Sequence, residues 1–127
     1  MATVFKFQRQ GYNMAQETLA EQEYVEHPRI AEEALEARTY QQVIAASAAD
    51  EDTLVVLPTG LGKTAVGILL AAHRLEERPG SKILMLAPTR PLVEQHRDAF
   101  ERALEVETGV YQVMTGDTRP AKRAEQW

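Results

Sequence analysis

A short glycine-bearing turn, TGLGKT at residues 59–64, carries the residue types that bind a phosphate chain. Gly60 and Gly62 let the backbone curl tightly and approach an anion with no Cβ in the way. Lys63 can place a positive charge beside phosphate oxygens, and Thr64 offers a hydroxyl to a Mg²⁺ ion. Between a strand and a helix such a turn binds phosphate well, because the first N–H groups of the helix lack internal partners. The spacing therefore predicts a site for ATP with Mg²⁺.

A second turn, at residues 88–90, lies between an apolar run and the start of a helical pattern. The Thr89 hydroxyl, the Arg90 guanidinium and the backbone N–H groups of this turn are suitable donors to phosphate oxygens. The turn therefore predicts contact with phosphate groups. An arginine that is merely solvated at the surface is the plainer alternative.

The elements that must position both turns alternate along the chain. Short apolar runs predict buried strands at 53–57, 82–87 and 110–114. Apolar residues at helical spacing predict helices at 31–49, at 63–78 and from Pro91 onward. This order of strand and helix forms βαβ units, so the predicted fold class is α/β, a P-loop parallel sheet flanked by helices.

The same helical patterns predict which side chains are buried. The expected core positions are Leu35, Val43 and Ile44; Val66, Leu69, Leu70, His73 and Leu75; and Leu92, Val93, His96, Phe100 and Leu104. Residues 1–23 lack such periodicity and predict a poorly ordered extension, in which Met14 is a second candidate start. Residues 24–127 then form the predicted domain.

Composition narrows the classes of function. The chain has 127 residues and no cysteine, which excludes disulfides and thiolate metal sites. A net charge of −5 argues against a broad basic face for nucleic acid, but it leaves room for a local groove. No apolar run is long enough to span a bilayer, and the N-terminus carries no signal-peptide pattern. We therefore expect a cytoplasmic protein without membrane contact.

Three stretches resemble motifs of superfamily 2 helicases. LPTGLGKT at 57–64 resembles motif I, whose first glycine is commonly absent in that superfamily, as it is at Leu57. APTRPLVEQH at 87–96 is similar to motif Ia, and RTYQ at 38–41 resembles the R-x-Y-Q adenine-recognition element. The T-G step at 115–116, which is weak evidence by itself, also has a counterpart in these helicases.

The resemblance implies a RecA-like fold and assigns roles to individual residues. Lys63 and Thr64 would be catalytic, with Thr64 holding Mg²⁺, and the Gln41 amide would pair with the adenine edge, which has both a donor and an acceptor. The implied nucleotide-binding residues are Arg38, Gln41, Pro58, Thr59, Gly60, Leu61, Gly62, Lys63 and Thr64. The implied nucleic-acid contacts are Pro88, Thr89, Arg90, Gln95, Thr115 and Gly116.

A longer match narrows the resemblance to one branch. Five stretches look like the archaeal Hef/FANCM family: YVEHP at 24–28, the R-x-Y-Q element at 38–41, LVVLPTGLGKT at 54–64, HRLEERPGSKILMLAPTRPLVEQH at 73–96 and the final T-G…KR…W pattern. Members of that family are DNA helicases or translocases that act on branched DNA such as stalled forks, and archaeal members carry a fused nuclease domain. The resemblance thus implies single-stranded or forked DNA as the partner.

The resemblance also implies parts that this sequence lacks. Neither a D-E-x-H motif II nor a second RecA-like domain is found within residues 1–127. We therefore expect an incomplete domain that stops short of these parts, does not turn over ATP alone, and leaves apolar strand edges exposed. The alternatives are a stand-alone nucleotide- or nucleic-acid-binding module, an RNA helicase of the Dicer and RNA-sensor branch, and, less compatible with the motifs, a kinase-like P-loop enzyme.

Overall fold

Helices make up most of the regular structure in the computed structural model, which describes residues 3–4, 23–107 and 110–127. The helices are α1 (Thr39–Asp50), α2 (Lys63–Glu77), α3 (Arg90–Ala103) and α4 (Pro120–Gln126). Two short strands, β1 (Thr3–Val4) and β2 (Thr53–Leu54), pair in parallel, with Thr3 opposite Thr53 and Val4 opposite Leu54. Met14 and most of the predicted extension lie outside the described residues.

The two helices that follow the turns are confirmed. Helix α2 begins at Lys63 and ends just before Pro79-Gly80, where the sequence carries its stop signal. Helix α3 has Pro91 in its first turn, where a missing N–H costs nothing. Helix α4 was not predicted, because its seven residues include no large apolar side chain and so show no helical periodicity.

The first helix starts later than predicted. Helix α1 begins at Thr39, not at residue 31, because tertiary hydrogen bonds hold the preceding backbone in other conformations. The Ala31 N–H donates to the Ala103 carbonyl at 2.9 Å, and the Ala37 N–H donates to the Glu23 carbonyl at 3.0 Å. Glu33 has φ +57°, which no right-handed helix accepts. Residues 23–38 therefore form a looped segment that is tied to the end of α3.

The parallel sheet is the largest difference from the sequence-based expectation. Residues 55–57, 82–87 and 110–114 were predicted as strand, and none of them is strand in the described structure. Several of their apolar side chains are open, with Val56 69% and Leu86 82% exposed, whereas Val55 and Leu57 pack against the core. A strand is held by the ladder it forms with a neighbour, and no described residue forms a ladder with these three segments. The β1–β2 pair is the sheet that the described residues contain.

The core lies between the helices in two clusters. The larger joins α2 to α3 and the looped segment, and its buried members are Ile30, Ile68, Ala71, Ala72, Phe100, Ala103 and Leu104. The smaller joins α1 to α2 through Ile44, Ala45 and Val66. His73 and Leu92 were predicted to be buried and are exposed. Helix α2 instead packs through Ala71 and Ala72, and helix α3 packs through Phe100. No helix in the described ranges is long and apolar enough to cross a membrane.

Candidate nucleotide and nucleic-acid sites

The phosphate-binding turn has the backbone shape that its glycines predict. Gly60 has φ +86° and Gly62 has φ +74°, a region that other residues rarely adopt. Gly62 is the N-cap of α2, and no side chain caps that helix end. A Cβ built on Gly60 would meet no atom within 4 Å, so the turn is open on that side. The start of α2 can therefore offer its N–H groups to an anion.

Lys63 folds back across the turn. Its Nζ donates to the Leu57 carbonyl at 2.5 Å and to the Pro58 carbonyl at 3.3 Å. An ammonium has three donors and no acceptor, so these carbonyls are natural partners, and phosphate oxygens are equally suitable ones. Thr64 follows in the first turn of α2, beside the lysine. The structure thus gathers Lys63 and Thr64 at one end of α2, as predicted.

The predicted adenine-reading glutamine contacts the phosphate-binding turn directly. Gln41 is only 4% exposed, and its Nε2 donates to the Leu61 carbonyl at 3.1 Å and to the Gly62 carbonyl at 3.5 Å. A Cβ on Gly62 would collide with this Nε2. The side chain therefore spans from α1 to the turn, a contact that the sequence did not predict.

Arg38 lies at the outer side of the same region. Its Nη2 and Nε contact Glu36 Oε2 at 2.8 and 3.1 Å, and its Nη1 lies 3.5 Å from the Tyr40 hydroxyl. The hydrogen bond to Tyr40, followed by the hydrogen bond and charge of Glu36, raises the pKa of Arg38 above its ordinary value. Arg38 is therefore a permanent cation that is joined to the turn through Tyr40.

The second predicted site is an open cleft of about 310 Å³. It brings together the turn at 88–90 and the T-G step, which are far apart in sequence. The lining residues are Ala87, Pro88, Thr89, Arg90, Val93, Met114, Thr115, Gly116 and Arg123. Five of the six predicted nucleic-acid contacts thus meet at one place. The sixth, Gln95, is exposed on α3 and does not line the cleft.

The charges at the cleft are balanced locally. Arg90 contacts Glu94 Oε1 through Nε at 3.1 Å and Asp117 Oδ2 through Nη1 at 3.8 Å. All three side chains are well exposed to solvent, where ion pairs contribute little and exchange readily. Arg90 is therefore able to exchange a carboxylate for a phosphate oxygen.

Arg123 is a cleft residue that the sequence reading missed. It lies on α4, and its Nε donates to the Thr118 carbonyl at 2.8 Å, which holds the guanidinium beside the T-G step. The Lys-Arg pair in the final pattern was a usable signal, but a short polar helix gives no periodicity that would place it.

Comparison with known proteins identifies the class. The DEAD/DEAH box helicase family matches residues 38–126, which is most of the chain and contains the turn, the cleft and Gln41. The chain belongs to this helicase family, whose members are ATP-dependent. A RecA-like α/β fold is what membership of the family implies for the domain.

The individual relatives include FANCM and MPH1 DNA helicases together with an archaeal putative helicase. The chain is 50% identical over 102 residues to the putative ATP-dependent RNA helicase of Methanocaldococcus jannaschii, which covers 80% of this chain and 13% of that protein. It is 42% identical to the DEAD-box ATP-dependent DNA helicase Fancm of Drosophila melanogaster, over 73% of this chain and 6% of that one. It is 38% identical to the ATP-dependent DNA helicase MPH1 of Coccidioides immitis, and the match covers 71% of this chain and 8% of that protein. The resemblance to Hef/FANCM proteins is thereby confirmed.

The chain spans only a small fraction of each of these relatives, at most 13%. No solved structure matches the chain.

Proposed function

We propose that this chain binds Mg²⁺-ATP and a nucleic-acid strand as the N-terminal part, residues 24–127, of the first RecA-like motor domain of a DNA helicase or translocase. The observation that carries the proposal is the glycine turn with Lys63 and Thr64 at the uncapped start of α2. Family membership supports ATP as the nucleotide. A RecA-like parallel sheet, with the segments at 53–57, 82–87 and 110–114 as its strands, belongs to the same proposal.

The residues of the turn divide the work of holding ATP. The N–H groups around Gly60 and Gly62 bind phosphate oxygens, and Lys63 releases its carbonyl partners to neutralise their charge. Thr64 fits Mg²⁺ because a hydroxyl oxygen is a ligand that this ion accepts, and the preceding turn is open beside Gly60. When bound, Mg²⁺ offsets the negative charge of the phosphates.

The cleft at 88–90 and 115–116 is the proposed path of the strand. Thr89 and Arg90 supply a hydroxyl and a guanidinium to successive backbone phosphates, and the Thr115-Gly116 step adds close backbone approach. DNA is favoured over RNA because the Fancm and MPH1 relatives are named DNA helicases. Branched or forked DNA is the proposed substrate, by resemblance to the same branch.

RNA is the second candidate. The relative from Methanocaldococcus jannaschii is named a putative RNA helicase and is 50% identical over the matched region. Affinity for a single-stranded DNA and for an RNA of the same sequence separates the two proposals. Tighter binding of the RNA, or stronger stimulation of ATP hydrolysis by it, would favour this candidate.

Nucleotide binding is tested on the complete gene product, since motif II is no part of residues 1–127. Lys63→Ala should abolish measurable Mg²⁺-ATP binding in calorimetry without unfolding the protein, because the side chain supplies charge and packs little. Lys122→Ala, which removes an exposed lysine from α4, is the control and should bind as wild type does. Tight ATP binding by the Lys63 variant would contradict the proposed site.

Nucleic-acid binding is tested through its salt dependence. Arg90→Ala should weaken single-stranded DNA binding and reduce the salt slope by roughly 0.7, the amount expected for one phosphate contact on a single strand. Arg97→Ala is the matched control, because Arg97 is exposed on the same helix and pairs with Asp98 at 2.6 Å outside the cleft. Equal slopes for the Arg90 variant and wild type would remove Arg90 from the interface.

A further inference from the structure

The Tyr40 hydroxyl lies at the centre of a small network beside the phosphate-binding turn. It donates to the Leu61 carbonyl at 2.7 Å, and it accepts from Gln41 Nε2 at 3.4 Å and from Arg38 Nη1 at 3.5 Å. A hydroxyl has one donor and two acceptor positions, so all of its capacity is used here. The bond to the turn is the shortest of the three.

The bond fixes one peptide of the turn. The Leu61 carbonyl receives two donors from the side of α1, the Tyr40 hydroxyl and the Gln41 amide. In a planar trans peptide the carbonyl and the N–H point in opposite directions. The N–H of Gly62, which shares this peptide, therefore faces away from α1. Gly62 permits this orientation because its φ is +74°.

We propose that Tyr40 is a positioning residue of the phosphate-binding turn. Its hydroxyl holds the Leu61–Gly62 peptide so that the Gly62 N–H stays available to the triphosphate. This inference rests on the proposed function, and it gives the Tyr40 hydroxyl a role in holding the turn. Gln41 reinforces the same carbonyl, whereas the hydroxyl is the closer donor.

The ring of Tyr40 has a separate role in packing. It is half-buried against the cluster formed by Ile44, Ala45 and Val66. Tyr40→Phe keeps the ring and removes only the hydroxyl, so the variant isolates the hydrogen bond from the packing. A second tyrosine supplies the matched control, because the Tyr111 hydroxyl also donates to a backbone carbonyl, that of Phe100 at 3.1 Å, away from the turn.

The experiment compares wild type, Tyr40→Phe, Tyr111→Phe and Lys63→Ala in the complete gene product. Calorimetry measures affinity for Mg²⁺-ATP and for Mg²⁺-tripolyphosphate, which has the phosphates without the base. Tyr40→Phe should weaken both ligands by the same factor, roughly three- to ten-fold, as expected for one hydrogen bond. Tyr111→Phe should leave both affinities unchanged.

The outcomes separate this inference from the function on which it rests. If Lys63→Ala abolishes binding while Tyr40→Phe binds both ligands as wild type does, the role of Tyr40 is wrong and the site stands. A loss confined to ATP would place the hydroxyl in adenine recognition and overturn positioning of the turn. An equal loss in Tyr111→Phe would mark a general effect on stability. Failure of wild type to bind either ligand would overturn the inference together with the proposed function.

Discussion

Replacing Gly62 with alanine should cost more stability than the same change at Gly60, although both glycines have positive φ angles. Each substitution forces an alanine into the left-handed backbone conformation, which costs about 1–2 kcal/mol of folding free energy. At Gly60 nothing else follows, because the new Cβ meets no atom within 4 Å. At Gly62 the new Cβ collides with the buried Gln41 amide. Gln41 must then move and give up its hydrogen bonds to the turn.

The additional cost can be worked out from these contacts. The bond from Gln41 Nε2 to the Leu61 carbonyl is 3.1 Å long, and the contact to the Gly62 carbonyl lies at the 3.5 Å limit, so we count one full bond. One such bond contributes about 1 kcal/mol net. Gly62→Ala should therefore lower the free energy of unfolding by about 2–3 kcal/mol, against about 1–2 kcal/mol for Gly60→Ala.

Urea unfolding followed by circular dichroism measures both costs, and Gln41→Ala completes a double-mutant cycle. In the Gln41→Ala background the collision is gone, so Gly62→Ala should cost only as much as Gly60→Ala. The cycle should then give a coupling energy of about 1 kcal/mol between Gln41 and Gly62. Equal costs at the two glycines, or a coupling energy near zero, would refute the contact between α1 and the turn.

Three further outcomes are expected. Gln41→Ala should weaken the binding of both ATP and tripolyphosphate, because the side chain contacts the turn, and it should weaken ATP binding more, because Gln41 is the proposed adenine-recognition residue. Calorimetry with the two ligands measures both losses. Phe100→Ala should lower the free energy of unfolding by about 3 kcal/mol, since Phe100 is buried in the larger cluster, and urea unfolding measures the loss. Burial lowers the pKa of His27 below its ordinary 6.5, so the unfolded state takes up the proton first and stability should fall as the pH drops below about 6.5. His27→Gln should flatten that decline in urea unfolding at pH 7.5 and 5.5.

Local signals in the sequence were sufficient to predict the phosphate-binding turn and helix α2. Two glycines, a lysine and a threonine specify a conformation that depends on few distant contacts, and Pro79-Gly80 ends the helix by the same kind of local rule. The start of α1 could not be predicted in this way. It depends on the bond between Ala31 and Ala103, residues far apart in sequence, which outweighs helix propensity.

The predicted strands show that local signals alone do not determine sheet pairing. The apolar run at 82–87 has the length and composition of a buried strand, and the described structure leaves it unpaired because pairing depends on a neighbour. In the candidate sites, residue types could be predicted and contacts could not. Gln41 illustrates this, because nothing in R-x-Y-Q reveals that its amide reaches the turn.

The carboxylates beside Arg90 have a consequence for how a strand would arrive at the proposed nucleic-acid cleft. Glu94 and Asp117 offset the positive charges of Arg90 and Arg123 in the cleft, and residues 1–127 together carry a net charge of −5. A polyanion approaching from solution is therefore not accelerated toward this surface, in contrast to proteins whose basic faces steer encounters. Capture should be slow and selective, since a phosphate must reach Arg90 before it can displace a carboxylate. Random collisions with duplex DNA would then seldom become bound states, and the dwell time of a correctly seated strand would determine occupancy.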